Sequence, residues 1–107
     1  MNAFEREYAM AKERKENPQQ GSYTTYLYEK GLEKILKKVG EESTEVVVAA
    51  LSQSNRELVG ELCVLYYHCV VLMVEKGITP AEIEAELDQR AKKQLNQKPE
   101  RTPIVNR

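Results

Sequence analysis

The chain has 107 residues, enough for one domain built around one hydrophobic core. A net charge of −1 on 31% charged residues leaves no basic field of the kind nucleic-acid binding needs. The opening MNAFEREYAMAKERKE is too charged for a signal peptide, and the longest apolar run, residues 62–74, contains His68 and is shorter than a bilayer span, so a cytoplasmic protein with no membrane or nucleic-acid partner is expected.

In chain order the pattern is helical throughout, with no convincing strand. Residues 2–16 form a charged amphipathic helix with Phe4, Tyr8 and Ala11 on one side, stopped at Asn17-Pro18 because a residue before proline avoids the α region. NPQQGS is a turn or loop. A second segment begins near Ser22-Tyr23-Thr24, runs to Gly31, and resumes as a long helix to about Ser52. Leu32, Ile35, Leu36, Val39, Val46, Val47 and Ala50 mark one apolar stripe on it, and that period outweighs the local strand preference of three consecutive valines. Ser54 and Glu57 form a capping-box pattern opening a helix over 55–76, which Gly77 ends. Thr79 as N-cap, Pro80 at the first position and Glu82 at the third open a last helix with a narrow stripe of Ile83 and Leu87. Residues 1–95 thus read as one all-α domain, and 96–107, with two prolines and little to bury, as an extended or disordered tail.

The helix over 55–76 is apolar almost all the way round, which suits the centre of a bundle. One chain this short has few helices to surround it, so a homodimer or higher homo-oligomer completing the core is expected. Cys63 and Cys69 lie on different faces of this helix and read as buried free thiols rather than a disulfide.

The chemistry lies on the two central helices. Glu41, Glu42 and Glu45 crowd one helical turn, and Glu61 follows on the next helix among Leu, Val and Cys. Charged groups are seldom buried unless paired or metal-bound, and an antiparallel hairpin through residues 52–55 puts Glu45 and Glu61 at comparable heights. Carboxylates facing across two helices are a bundle-core metal arrangement, and oxygen-only ligands favour Mg²⁺ or Mn²⁺ over zinc. The competing reading is a solvated face neutralised by Lys34, Lys37 and Lys38; it is stronger for Glu41 than for Glu45 and Glu61. His68, Tyr66 and Tyr67 fit core or interface positions better than catalytic ones. The series Lys30, Lys34, Lys37, Lys38 can meet phosphate oxygens, though a lysine-rich face is more often simply solvated.

SYTTYLYEKGLEKILKKVGEESTEVVVAAL followed by ELVGELCVLYYH resembles the phosphoribosyl-ATP pyrophosphohydrolases of histidine biosynthesis, in the all-α MazG-like nucleotide pyrophosphohydrolase superfamily. The likeness spans roughly residues 4 to 90 and rests on SYT, KG, KI-x-x-K-x-GEE-x-x-E and YH occurring together. It implies a bundle of four to five helices, a homodimer, and a nucleotide substrate, 1-(5-phosphoribosyl)-ATP, cleaved to 1-(5-phosphoribosyl)-AMP and diphosphate. It further implies Mg²⁺ (or Mn²⁺) held by Glu42, Glu45 and Glu61, catalytic roles for Glu41 and Glu45 with Glu41 as candidate base, and substrate contacts from Tyr23, Thr24, Lys30, Lys34 and Lys38. The superfamily signature EE-x-x-E, then E-x-x-D, is met except at its last position, which here is Val64. That departure keeps open a catalytically weakened nucleotide-binding relative, and a pyrophosphohydrolase of another nucleotide is a further alternative.

Overall fold

A computed structural model describes residues 1–95 as five helices with no strand among them: α1 (Ala3–Glu16), α2 (Tyr23–Lys30), α3 (Leu32–Ser52), α4 (Asn55–Lys76) and α5 (Pro80–Leu95). The tail expected beyond residue 95 lies outside the described residues. Helix starts follow the capping chemistry. Ser54 and Glu57 close a reciprocal box, with Glu57 N donating to Ser54 Oγ and Ser54 N to Glu57 Oε1, both at 3.2 Å. Thr79 and Glu82 do the same at the start of α5. A third box, Asn2 with Glu5, opens α1.

Two glycines set the bends. Gly31 has φ +89°, a value that side-chain-bearing residues rarely adopt, and it separates α2 from α3 while its N–H still reaches the Leu27 carbonyl at 3.0 Å. Gly77, at φ +72°, ends α4: its N–H goes to Val74 O at 3.1 Å and that of Ile78 to Met73 O at 2.8 Å, the paired bonds of a Schellman stop.

The most extensive packing is the α3–α4 hairpin, joined only by Gln53 and Ser54. On α3 the shielded positions include Ile35, Val39, Glu42, Val46 and Ala49, spaced alternately four and three residues apart. On the first half of α4 they are Leu58, Glu61 and Leu65, and the same spacing continues through His68 and Leu72. These are the seams of two helices packed at the 3.5-residue repeat of a coiled coil. The stripe expected on α3 is therefore rotated: Leu36, Val47 and Ala50 are exposed, and the true seam runs through a glutamate. Helices α1 and α2 cover the second half of α4, where Ala11, Leu27, Ile35, Val70 and Val71 form the core. Each fully buried Leu, Ile or Val there contributes about 1.5–3 kcal/mol. Tyrosine hydroxyls lock this end, Tyr28 donating to Ala11 O at 2.8 Å and Tyr8 to Ile78 O at 3.2 Å.

The rest of the hairpin is bare within one chain. Val47, Leu51, Val59 and Leu62 are exposed, as are Ile83 and Leu87 on α5. Cys63 is exposed and Cys69 half-buried, so the expectation of two buried thiols fails for Cys63, which faces outward from the seam. The full α4 is long and apolar enough, by length and composition, to cross a membrane, although its longest apolar run is not; the central helix of a bundle meets the same criterion.

Nothing crowds a Cβ built at Gly77, so its cost is conformational alone. Gly77→Ala is expected to lower stability by about 1 kcal/mol and Gly77→Asn by less, since Asn tolerates the left-handed region. Thermal unfolding followed by circular dichroism reads the difference as a midpoint drop of roughly 4–8 °C for the alanine variant.

Candidate active site

The α3–α4 seam is where the acids meet. Glu42 stands in it between Val39 and Val46, with its side chain only 14% exposed, and Glu61 stands in it between Leu58 and Leu65. One turn of α3 also carries Glu41 and Glu45 on the outer side, both exposed. All four line a single open cleft of about 520 Å³ together with Lys38 and Val64. The expectation that Glu45 and Glu61 are the shielded pair is half met: Glu61 is shielded, but Glu42 takes the place expected for Glu45 because the seam falls one turn position earlier.

Lys38 supplies the cleft's positive charge. Its Nζ lies 3.4 Å from Glu41 Oε1 and 3.6 Å from Glu42 Oε1. Burial pushes the Lys38 ammonium down, and Tyr23, Glu41 and Glu42 together more than offset this, so its pKa is raised overall and it stays a cation. Among the described residues no three Asp, Glu, His or Cys side chains close on one point as a finished metal shell. The acids form an open wall of oxygens instead, with an ammonium resting against one end of it.

The remaining predicted contacts do not enter this cleft as a group. Tyr23, the first residue of α2, stands at the border: its hydroxyl is 3.0 Å from His68 Nε2, while Lys38, Glu42 and Lys34 act on it electrostatically. Burial raises the Tyr23 pKa, with Lys38 opposing, so the hydroxyl keeps its proton at neutral pH. Thr24 turns inward and pairs its Oγ1 with the Tyr67 hydroxyl. Lys30 and Lys34 both place Nζ 5.9 Å from the centre of the Tyr26 ring, and neither lines the acidic cleft. Tyr26 in turn stacks on Tyr23 at 6.0 Å, and the two rings help line a second cleft, of about 560 Å³, with Pro18, Gln20, Gly21 and Ser22.

Tyr26 escapes the sequence reading, while Tyr67 and His68 stand where it expects core or interface residues. His68 is 3% exposed, gives Nδ1 to the Val64 carbonyl at 2.9 Å, and packs edge-on against Tyr23 and Tyr67. Its reading as a hydrogen-bonded core residue is correct; its partner, 45 residues away in sequence, has no local signal.

Comparison with known proteins gives the family. A family model described as phosphoribosyl-ATP pyrophosphohydrolase matches residues 4–91. A phosphoribosyl-ATP pyrophosphatase of Clostridium novyi (strain NT) is 51% identical over 99% of this chain and 96% of its own length. One of Streptococcus thermophilus is 51% identical over 83% of this chain and 86% of its own. A histidine biosynthesis bifunctional protein HisIE of Caldanaerobacter subterraneus subsp. tengcongensis is 57% identical over 80% of this chain, which spans 42% of that longer relative. With the matched region running from α1 into α5 and containing every residue of the acidic cleft, the chain belongs to the phosphoribosyl-ATP pyrophosphohydrolase family.

Proposed function

We propose that this chain is a cytoplasmic hydrolase of histidine biosynthesis that cleaves 1-(5-phosphoribosyl)-ATP at the α–β phosphoanhydride, in a reaction requiring Mg²⁺ or Mn²⁺. The observation that carries the reading is the convergence of Glu41, Glu42, Glu45 and Glu61 with Lys38 on one cleft between two helices. An open wall of oxygen donors suits Mg²⁺, which keeps several waters and takes few protein carboxylates beside substrate phosphates. Glu42, Glu45 and Glu61 would hold the ion, and bound there it would draw charge off the phosphates. Glu41, one of the two exposed acids, is the candidate base that takes a proton from the attacking water as the α–β bond breaks and diphosphate leaves. Lys38, at the same rim, offers a phosphate oxygen a charge-assisted hydrogen bond.

Val64 on the cleft wall supports a second reading, a weakened relative that binds nucleotide and releases little diphosphate. Valine brings neither charge nor lone pair to a wall that otherwise consists of acids and one lysine.

The exposed apolar faces of α3, α4 and α5 support a homodimer. Patches this continuous are seldom left open in a soluble chain, and a two-fold pairing would bury α4 from both sides.

Three outcomes follow. Glu45→Gln should cut diphosphate release by at least about a hundredfold, while circular dichroism stays that of the parent, because the change removes charge from an exposed position; undiminished turnover sinks the carboxylate model. Val64→Asp should tighten Mn²⁺ binding measured by electron paramagnetic resonance and lower the Mg²⁺ concentration for half-maximal rate. Light scattering on a sizing column should give twice the 12.3 kDa chain mass, falling towards one chain in a folded Leu62→Glu variant.

A further inference from the structure

The contact between Tyr23 and His68 has a direction. His68 Nδ1 lies 2.9 Å from the Val64 carbonyl, and a carbonyl only accepts, so the single proton of the neutral ring sits on Nδ1. Nε2 then carries a lone pair, and at 3.0 Å it accepts a hydrogen bond from the Tyr23 hydroxyl. With its one proton spent inward, Tyr23 offers the site an acceptor oxygen and an aromatic face, not a donor. Phosphate oxygens at neutral pH accept hydrogen bonds, so the Tyr23 hydroxyl is mismatched to them. What it matches is a donor on the nucleoside half of the ligand, a ribose hydroxyl or the exocyclic amino group of the base. The placement agrees: Tyr23 lines the second cleft with Tyr26 stacked on it, and its hydroxyl feels the charges of Lys38 and Glu42 from the acidic cleft.

We propose that His68 is a positioning residue that fixes the Tyr23 hydroxyl as an inward donor, so that Tyr23 selects for the nucleoside part of the substrate and not for its phosphates. This deepens the proposed function and rests on it for the identity of the ligand, but the hydrogen-bond direction stands by itself. His68 is buried where α2 crosses α4, and Tyr67, its neighbour in sequence, pairs with Thr24, the neighbour of Tyr23. Two successive residues of α2 are thereby tied to two successive residues of α4, one turn beyond Val64.

The chain holds one histidine, so nitrogen-15 NMR reads its ring without assignment by mutation. The expected spectrum has a protonated Nδ1 and a bare Nε2, with the Nε2 signal moving in Tyr23→Phe; a proton on Nε2 at neutral pH overturns the proposal whatever the enzyme does. Binding is measured by calorimetry with diphosphate, AMP, 2′,3′-dideoxy-AMP and IMP. Tyr23→Phe should leave diphosphate affinity within about twofold and erase a preference for AMP of about five- to tenfold, the size of one hydrogen bond. Loss of preference over the dideoxy nucleotide assigns the donor to ribose, and over IMP to the base amino group. A comparable loss of diphosphate affinity makes Tyr23 a phosphate donor and overturns the proposal. In turnover, His68→Leu should raise KM about five- to tenfold with a smaller fall in kcat, and His68→Gln, whose carbonyl can accept the same proton, should recover most of it. If the parent chain releases no diphosphate at all, the proposed function fails while the NMR result still decides the role of His68.

Discussion

Two carboxylates occupy positions where a helix pair wants hydrocarbon. The α3–α4 seam keeps a coiled-coil spacing along both helices, and Glu42 and Glu61 stand in it where Leu or Val would close it. A seam residue of this kind cannot leave the interface without unpairing its neighbours. The cleft is the consequence. Beside the seam the two helices present an open cleft walled with oxygen, and Lys38 rests its ammonium against Glu41 and Glu42. Stability and chemistry oppose each other over that stretch. The fold therefore keeps its fully buried aliphatic core elsewhere, under α1 and α2.

That separation also explains how the site is oriented. The rigid end of the molecule is a layer of tyrosines: Tyr28 and Tyr8 lock α1 to its neighbours, and the Tyr23, Tyr67 and His68 rings bind α2 to α4. The first turn of α2 is thereby held at the edge of the acids. Gly31 makes this possible, since a continuous helix from residue 23 to 52 would carry Tyr23 along the α3 axis instead of back across α4. The open end of the hairpin, by contrast, leaves Val47, Leu51 and Val59 without partners in one chain.

Much of this is legible in the residues. Helix boundaries are written in short-range chemistry (Ser54 with Glu57, Thr79 with Pro80 and Glu82, Gly77 as a stop) and fall where those signals put them. The convergence of Glu41, Glu42, Glu45, Glu61 and position 64 is legible too, because a two-residue turn fixes the register of an antiparallel pair. The exact seam of α3 is not. A stripe drawn through apolar residues alone skips Glu42 and drifts onto Leu36 and Val47, which belong to an outer face that is itself apolar. Nor is the Tyr23–His68 bond legible, since it joins residues 45 apart with no pattern between them. Lysine roles divide as well: spacing places Lys30, Lys34 and Lys38 in one series, but Lys30 and Lys34 lie over the Tyr26 ring while Lys38 lines the acidic cleft.

We propose phosphoanhydride hydrolysis in the acidic cleft despite Val64 on its wall. It is tested most directly by following diphosphate release from 1-(5-phosphoribosyl)-ATP across Mg²⁺ and Mn²⁺ concentrations. The expected result is one diphosphate and one 1-(5-phosphoribosyl)-AMP per substrate, at a rate that saturates with the ion and vanishes with a chelator. Bound nucleotide with no diphosphate released at saturating ion, or release indifferent to the chelator, would contradict it.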